Sequence, residues 1–189
     1  IFGNAGAFGH SISEFVEKVE IFELIAKKRR IIEKQDLKFS YRSSILQREK
    51  TCFLLNAYLN FRKDNSGDVK KIISEVLKKR KGKQPLESPS AGSVFKNVSL
   101  EKVKREVLGR EKFLVVNGFI PAGFLIEKLG LKGLRRGDAI FSEKHANFII
   151  NLGQARARDV KFLIDLARKR AKERYQIELK EEIKYLGKF

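Results

Sequence analysis

The chain has 189 residues, of which 42% are hydrophobic and 34% are charged, and its formal net charge is +18 at pH 7. This length suits one large domain or two small ones, and the apolar fraction is sufficient for a buried core. No apolar run is long enough to cross a bilayer, and the first residues lack the cationic and apolar regions of a signal peptide. These features argue against a membrane-spanning or secreted protein.

The cysteine and methionine content indicates the redox compartment and whether the chain includes the start of the protein. Cys52 is the single cysteine, so an internal disulfide is excluded and we expect a reducing cytoplasm. We interpret it as a small buried hydrophobe rather than a nucleophile. The chain contains no methionine and begins with Ile1. Because a complete translation product starts with methionine, we expect a C-terminal piece of a longer protein.

Hydrophobic periodicity predicts strands and helices that alternate only loosely. Alternating apolar residues favour strands over residues 15–24 and 51–61. Apolar spacings of three and four predict amphipathic helices over 69–82 and around 160–171. A proline at the start and glycines at the end predict a short helix within 121–133. This order favours an α+β fold over a regular βαβ stack.

The remaining segments are shorter. We predict a glycine-rich loop over residues 4–10 and a turn over 63–68. A strand and turn are expected over 111–119, two short apolar stretches around a polar bend over 138–151, and a closing strand over 181–187. The Pro/Ser-rich stretch that begins at residue 84 is the predicted boundary between two subdomains, residues 1–83 and 84–189.

The basic residues concentrate at residues 26–30, 78–83 and 156–176. Such a field attracts polyanions, so nucleic acid is one candidate partner and a small phosphate-bearing ligand is another. The chain has no zinc-finger spacing, no aromatic RNP-like motif and no basic region with heptads. A solvated helix face also explains charges of this kind, and charge alone therefore does not choose between these partners.

Five short motifs resemble, in the same order, those of the UDP-N-acetylenolpyruvoylglucosamine reductases, most closely the shorter form of that family. The likeness extends from Asn4 almost to the C-terminus. Each motif alone is weak, but five in one order are hard to obtain by chance. The motifs are NAGAFG (4–9), YRSSIL (41–46), PSAGSVFKN (89–97), AGFLIEKLGLKG (122–133) and SEKHANF (142–148).

The resemblance implies that FAD, supplied with electrons by NADPH, reduces UDP-N-acetylglucosamine enolpyruvate to UDP-N-acetylmuramate for peptidoglycan. A hydride would add to the terminal alkene carbon, and charge on the neighbouring carbon would spread into the carboxylate as an enolate. That carbon would then take a proton. The implied fold is a partial FAD-binding subdomain of the vanillyl-alcohol-oxidase type, residues 1–83, followed by an α+β substrate-binding subdomain, residues 84–189.

Three residues would carry the chemistry by this resemblance. Ser93 would donate the proton, Arg42 would contact the substrate carboxylate, and Glu182 would polarise the intermediate. Glu178 and Glu181 are neighbouring alternatives to Glu182. Without the resemblance, a serine in a Pro/Gly loop indicates a turn, and an arginine in so basic a chain indicates a surface cation.

Further residues would contact the ligands by the same resemblance. Those near the substrate are Tyr41, Lys96, Asn97, His145 and Asn147. Those against the flavin or its pyrophosphate are Asn4, Ala5 and Gly6, where glycine permits close approach of the backbone. A structural role for His145 stays open, and a metal site is unsupported because the chain has only two histidines.

The sequence also departs from the family pattern. The N-terminal part of the FAD-binding subdomain is missing, so we expect that the chain does not hold FAD tightly alone. Val98 stands where the family usually has proline, and residues 99–120 form a longer linker than usual. Three functions stay open: the reductase, a remnant that binds the UDP-sugar without catalysis, and a basic nucleic-acid-binding module. We expect a monomer with no membrane partner.

Overall fold

The computed structural model describes residues 1–49, 51–63 and 67–187. The chain divides into two compact units, Ile1–Val76 and Leu77–Phe189. No helix among the described residues is both long and apolar enough to cross a membrane. The division falls within the helix that precedes the predicted boundary at residue 84.

The first unit contains a three-stranded antiparallel sheet with the order β4-β3-β5. A two-stranded hairpin precedes the sheet in the chain. A short helix lies between the second and third strands of the sheet in chain order. The hairpin consists of β1 (Gly6–Ala7) and β2 (His10–Ser11). The other elements are β3 (Val16–Glu23), β4 (Lys28–Glu33), α1 (Ile45–Arg48) and β5 (Cys52–Leu59).

A β-bulge in β3 aligns the side chains that form the small core of this unit. Val16 pairs with Leu59 and Lys18 with Tyr58, so β3 contains one more residue than β5 at this point. The extra residue changes the period-2 alternation and lets Val16 and Val19 face the same side although they are three residues apart. The buried core residues are Val16, Val19, Ile21, Ile32, Leu37 and Leu46.

Cys52 packs against this core and is partly buried. Its thiol donates to the carbonyl oxygen of Glu49 at 3.4 Å, and burial raises the pKa of the thiol. A thiol with a raised pKa is a poor nucleophile. The geometry therefore suits the structural interpretation of this cysteine.

The second unit contains a four-stranded antiparallel sheet with the order β6-β11-β10-β9, and a separate two-stranded pair, β7-β8. The helix that crosses the division is α2 (Val69–Lys83). The elements that follow are β6 (Ser90–Ser93), β7 (Val98–Ser99), α3 (Arg105–Arg110), β8 (Phe119–Ile120), α4 (Ala122–Lys128), β9 (Arg135–Arg136), β10 (Ala139–Phe141), β11 (Phe148–Asn151) and α5 (Ala157–Tyr175).

Helices α4 and α5 bury their apolar stripes in the larger core, which they share with the sheet. On α5 the buried residues recur at spacings of one, three or four, which is the period of one helix face. Full burial of each large aliphatic side chain stabilises the fold by roughly 1.5–3 kcal/mol. The buried residues of α5 are Leu163, Ile164, Ala167, Ala171 and Tyr175.

The structure confirms the predicted α+β class, the strands that became β3 and β5, and the helices that became α2, α4 and α5. The two apolar stretches on either side of the polar bend form β10 and β11. The predicted loop over 4–10 contains the β1–β2 hairpin. In the predicted turn over 63–68, residues 64–66 lie outside the described residues.

Two strand predictions are wrong. Residues 181–187 form one bridge, Glu181 with Phe95, and no strand. Residues 184–187 are exposed, so the alternation there did not reflect a buried face. In the segment 111–119, Val116 makes only a bridge to Phe119. Its apolar side chains Leu114, Val115 and Val116 are exposed, so alternation did not reflect a buried face.

The buried phenol of Tyr175 yields a stability prediction. Among the described residues its hydroxyl has no hydrogen-bond partner, and burial raises the pKa of the phenol. An unpaired buried polar group costs about 1–3 kcal/mol. We expect Tyr175→Phe to leave the free energy of unfolding unchanged or raise it by about 1 kcal/mol, as measured by urea denaturation.

The ring itself is the control for this prediction. It packs edge-on against Phe113 with centroids 5.3 Å apart, a contact that phenylalanine retains and leucine does not. Tyr175→Leu should therefore destabilise the chain. A loss of more than about 1 kcal/mol in Tyr175→Phe would show that the hydroxyl is bonded, for example to a buried water.

Candidate active site

A β-bulge sets the position of Ser93 at the end of β6. Ser93 pairs with Phe148 and Ser90 pairs with Ile150, so β6 has one more residue than β11 between these two pairs. Gly92 lies within the bulge with φ of +81°, a region that glycine enters without steric cost. Bulges redirect the side chain that follows them, and here that side chain is Ser93.

The Ser93 side chain is partly exposed. Within the part of the chain that the structure describes, no residue forms a hydrogen bond with its hydroxyl. The next two residues, Val94 and Phe95, are buried and anchor the backbone in the core of the second unit. The arrangement presents one hydroxyl on a firmly held strand end.

The C-terminal segment lies beside the strand that carries Ser93. The amide of Glu182 donates to the carbonyl oxygen of Val94 at 2.8 Å. The amide of Lys96 donates to the carbonyl oxygen of Lys180, also at 2.8 Å. Paired strands lie about 4.8 Å apart, so the backbone of Glu182 is one strand spacing from the residue that follows Ser93.

The two alternative glutamates differ from Glu182 in their surroundings. The carboxylate of Glu181 accepts a hydrogen bond from the guanidinium of Arg168, on α5, at 3.2 Å. Glu178 is exposed and lies before the paired segment. Glu181 thus contacts α5, whereas the backbone of Glu182 pairs with the residue that follows Ser93.

Asn147 is buried, and both polar atoms of its side chain bind the backbone of Phe95. Its amide nitrogen donates to the carbonyl oxygen of Phe95 at 2.8 Å, and its amide oxygen accepts the N–H of Phe95 at 3.0 Å. The resemblance implied a contact with the substrate for Asn147. In the structure its amide is directed at the backbone that follows Ser93.

His145 occupies the turn before Asn147. Its Nδ1 accepts the N–H of Asn147 at 3.2 Å, and its ring meets Phe148 edge-on with centroids 5.0 Å apart. Burial lowers the pKa of the imidazole, so the neutral form prevails at pH 7. With Nδ1 as an acceptor, the tautomer assigned by this bond carries the proton on Nε2, which is a donor.

Asn97 and Lys96 lie at the other end of the Ser93 segment. The side-chain oxygen of Asn97 accepts the N–H of Ala122, the first residue of α4, at 3.1 Å. Lys96 is partly exposed and places a cation close to Ser93 in the chain. Asn97 therefore holds a helix end as well as being a predicted substrate contact.

In the first unit the motifs around Asn4 and Arg42 meet. The guanidinium of Arg42 donates to the carbonyl oxygen of Gly6 at 3.1 Å and lies 5.4 Å from the ring centroid of Tyr41. A Cβ on Gly6 would lie 2.9 Å from the carbonyl oxygen of His10, so this position admits only glycine without a shift. The predicted carboxylate-binding arginine is thus fixed against the predicted cofactor loop.

The cofactor loop fits a flavin in part. Asn4 is buried, donates to the carbonyl oxygen of Ser40 at 3.0 Å and accepts the N–H of Ser13 at 3.2 Å, so its side chain is committed to the protein. Ala5 is exposed, and Gly6 has no side chain to obstruct a ligand. The residues present therefore offer a small, accessible stretch of backbone to a cofactor, whereas the Asn4 side chain does not serve one.

Sequence reasoning missed Ser142, which orders the turn that contains His145. Ser142 is 2% exposed, and its hydroxyl oxygen accepts the amides of Lys144 at 3.1 Å and His145 at 3.4 Å. The signal was present, because a serine followed by polar residues between two apolar strands is typical of a side-chain-stabilised turn.

The bulge under Ser93 yields a prediction about Gly92. A non-glycine residue with a left-handed φ costs roughly 1–2 kcal/mol, and a Cβ on Gly92 has no neighbour within 4 Å, so the cost is conformational. We expect Gly92→Ala to lower the free energy of unfolding by about that amount. Gly92→Asn should recover most of the loss, because asparagine tolerates this region.

Thermal or urea unfolding of the three proteins measures this effect. Equal stability of the wild type and Gly92→Ala would contradict the assignment of strain to the bulge. An Asn variant no better than the Ala variant would mean that the site excludes any side chain rather than a backbone conformation.

The chain is similar to curated proteins that share one name. A relative from Thermotoga petrophila named UDP-N-acetylenolpyruvoylglucosamine reductase is 42% identical over 183 residues, which cover 97% of this chain and 57% of the relative. A relative of the same name from Solibacter usitatus is 37% identical over 188 residues, covering 99% and 60%. The chain thus spans little more than half of their length.

Similarity extends to a solved structure and to a family profile. The crystal structure of UDP-N-acetylenolpyruvylglucosamine reductase from Thermus caldophilus aligns with a TM-score of 0.71 and 32% identity, over 96% of this chain and 57% of that one. The profile of the C-terminal domain of UDP-N-acetylenolpyruvoylglucosamine reductase matches residues 84–186, which include Ser93, Asn147 and Glu182. The chain therefore belongs to the UDP-N-acetylenolpyruvoylglucosamine reductase family.

Proposed function

We propose that the chain acts in the NADPH-dependent, FAD-mediated reduction of UDP-N-acetylglucosamine enolpyruvate to UDP-N-acetylmuramate, a step of peptidoglycan precursor synthesis. One observation carries the proposal. The strand end that presents the Ser93 hydroxyl is paired, through the 2.8 Å bond from Glu182 to Val94, with the segment that bears the predicted second active-site group. Both lie within the region matched by the family profile.

The cofactor supplies the electrons. When bound, FAD that has been reduced by NADPH provides the hydride that the enolpyruvyl double bond takes up at its terminal carbon. The backbone of Ala5 and Gly6 would contact this cofactor in the first unit. Asn4 would act indirectly, since its hydrogen bonds to Ser40 and Ser13 fix the shape of that loop.

Ser93 serves as the proton donor. After hydride addition, the carbon next to the carboxylate carries the excess charge and must form a C–H bond. The O–H bond of Ser93 breaks to supply that proton, and solvent returns a proton to the serine oxygen. A hydroxyl is a weak acid, but it is adequate here because the acceptor is a strongly basic enolate carbon.

Positive charge and hydrogen-bond donors stabilise the enolate and bind the nucleotide. The planar guanidinium of Arg42 suits a carboxylate, which it can bind through two parallel hydrogen bonds. Lys96, beside the Ser93 segment, would attract the substrate diphosphate. Glu182, in its protonated form, would donate a hydrogen bond that polarises the developing enolate. The net charge of +18 raises the local concentration of any anionic substrate.

Substitution of Ser93 separates this reductase from a remnant that only binds the sugar nucleotide. General acid catalysis contributes about 100- to 10,000-fold to a rate, and alanine removes the proton with little change in volume. In the chain supplied with FAD, we expect Ser93→Ala to lower turnover of the enolpyruvyl UDP-sugar by that range. Oxidation of NADPH in the absence of the sugar should be unchanged.

Ser90 provides the matched control. It lies on the same strand, and its hydroxyl accepts the amide of Gly92 at 3.3 Å, so Ser90→Ala removes a neighbouring hydroxyl without touching the proposed proton donor. Ser90→Ala should keep most of the turnover. Turnover by Ser93→Ala within threefold of the wild type would exclude Ser93 as the donor, and a wild-type chain that binds the sugar without turnover would support the remnant.

A further inference from the structure

Asn147 makes three hydrogen bonds to the two residues that follow Ser93. Its carbonyl oxygen accepts the N–H of Val94 at 2.8 Å, and its side chain binds both the N–H and the C=O of Phe95. Asn147 is only 3% exposed, and the two side-chain bonds lie in a buried environment, where a bond once lost is not replaced by water.

These bonds continue the sheet beyond the point where its regular pairing ends. The β6–β11 ladder stops at the pair Ser93–Phe148. Past that pair, the amide of Asn147 pairs with the backbone of Phe95 as a neighbouring strand would. On the opposite edge, the same residues pair with the segment of Glu182. The backbone after Ser93 is therefore held on both sides.

We propose that Asn147 is a positioning residue, which fixes the backbone on which Ser93 and Glu182 are aligned, and that it is not a substrate contact. The part of the proposal that concerns catalysis by Ser93 rests on the proposed function. The part that concerns the hydrogen bonds of Asn147 rests on geometry alone. In this proposal Asn147, the last polar residue of the SEKHANF motif, supports the strand that carries Ser93.

We call the two side-chain hydrogen bonds from Asn147 to the backbone of Phe95 the clamp. Among side chains of this length, only asparagine can make both bonds. Its amide has one acceptor and two donors on a side chain with a single methylene group. Aspartate has the same shape and keeps the acceptor, but it has no donor for the carbonyl oxygen of Phe95 when it is ionised. Asn147→Asp thus removes one bond and places two oxygens against each other, with little change in volume.

The turn that supports Asn147 is itself held by hydrogen bonds. Ser142 accepts the amides of Lys144 and His145, and His145 accepts the amide of Asn147. A Cβ on Gly123 would lie 3.0 Å from His145 Cε1, so α4 packs closely against this turn. The turn that carries Asn147 is therefore held in place by the packing of α4.

Asn151, the last residue of β11, is a matched control for the substitution. Its side-chain oxygen accepts the amides of Gly153 at 2.8 Å and Ala155 at 2.9 Å. Aspartate can accept both bonds equally well, so Asn151→Asp should change neither the fold nor the Ser93 segment. The two variants carry the same chemical change, and they differ only in whether a donor is lost.

The first readout is amide hydrogen exchange, which needs no cofactor or substrate. In Asn147→Asp, the amides of Val94 and Phe95 should exchange about tenfold faster or more, whereas amides in α5 should keep their wild-type rates. Asn151→Asp should resemble the wild type throughout. Wild-type protection at Phe95 in Asn147→Asp, or a uniform loss over the whole unit, would overturn the clamp.

The second readout separates positioning from substrate contact. Misplacement of a catalytic group lowers turnover while substrate binding remains, so Asn147→Asp should lower kcat about tenfold or more with KM within twofold. A raised KM at unchanged kcat would identify Asn147 as a substrate contact and overturn the proposal. If the wild-type chain shows no turnover, the proposed function fails, and the exchange rates alone then decide the clamp.

Acid should rescue the variant, which a general loss of folding would not show. A protonated carboxyl group regains a donor of the right shape, and burial raises the pKa of such a group. Relative to the wild type at each pH, protection and kcat of Asn147→Asp should be higher at about pH 5 than at about pH 8. A pH-independent ratio would contradict the loss of a donor as the cause.

Discussion

The candidate site of the second unit depends on the pairing of one short segment, residues 93–96, with its neighbours on two sides. Asn147, in the turn before β11, holds Val94 and Phe95, and the backbone bonds of Lys96 and Glu182 hold the other edge. Because Val94 and Phe95 are buried, these bonds form where an unpaired backbone group would be costly. The Ser93 hydroxyl is therefore presented by a rigid support.

The hydrogen bonds of the motif residues differ in their targets. Asn4, Asn97 and Asn147 each use side-chain atoms to bind nearby backbone, and His145 accepts an amide of its own turn. Ser93 has a partly exposed hydroxyl instead. The structure thus shows which motif side chains bind the protein backbone, which the sequence alone does not reveal.

The sequence predicted the elements in which apolar residues recur at helix or strand spacing, including α2 and β5, neither of which contains a fully buried residue. The stripe on α5 and the alternation in β3 were recognised because many apolar residues repeat with one period. The strand predicted over 181–187 failed because its pairing depends on a backbone far away in sequence, which local alternation does not reveal. The clamp of Asn147 on Phe95 joins residues 52 positions apart, so no local pattern indicated it. Ser93 was identified by its motif, and only the structure showed the bulge beneath it.

The central claim is that residues 93–97 and Glu182 form the binding site for the enolpyruvyl UDP-sugar. An NMR titration of the labelled chain with UDP-N-acetylglucosamine enolpyruvate at fixed ionic strength tests it most directly. We predict saturable amide shifts centred on these residues, and none with N-acetylglucosamine alone. Shifts spread over the basic faces of α2 and α5, or no shifts at all, would contradict the account.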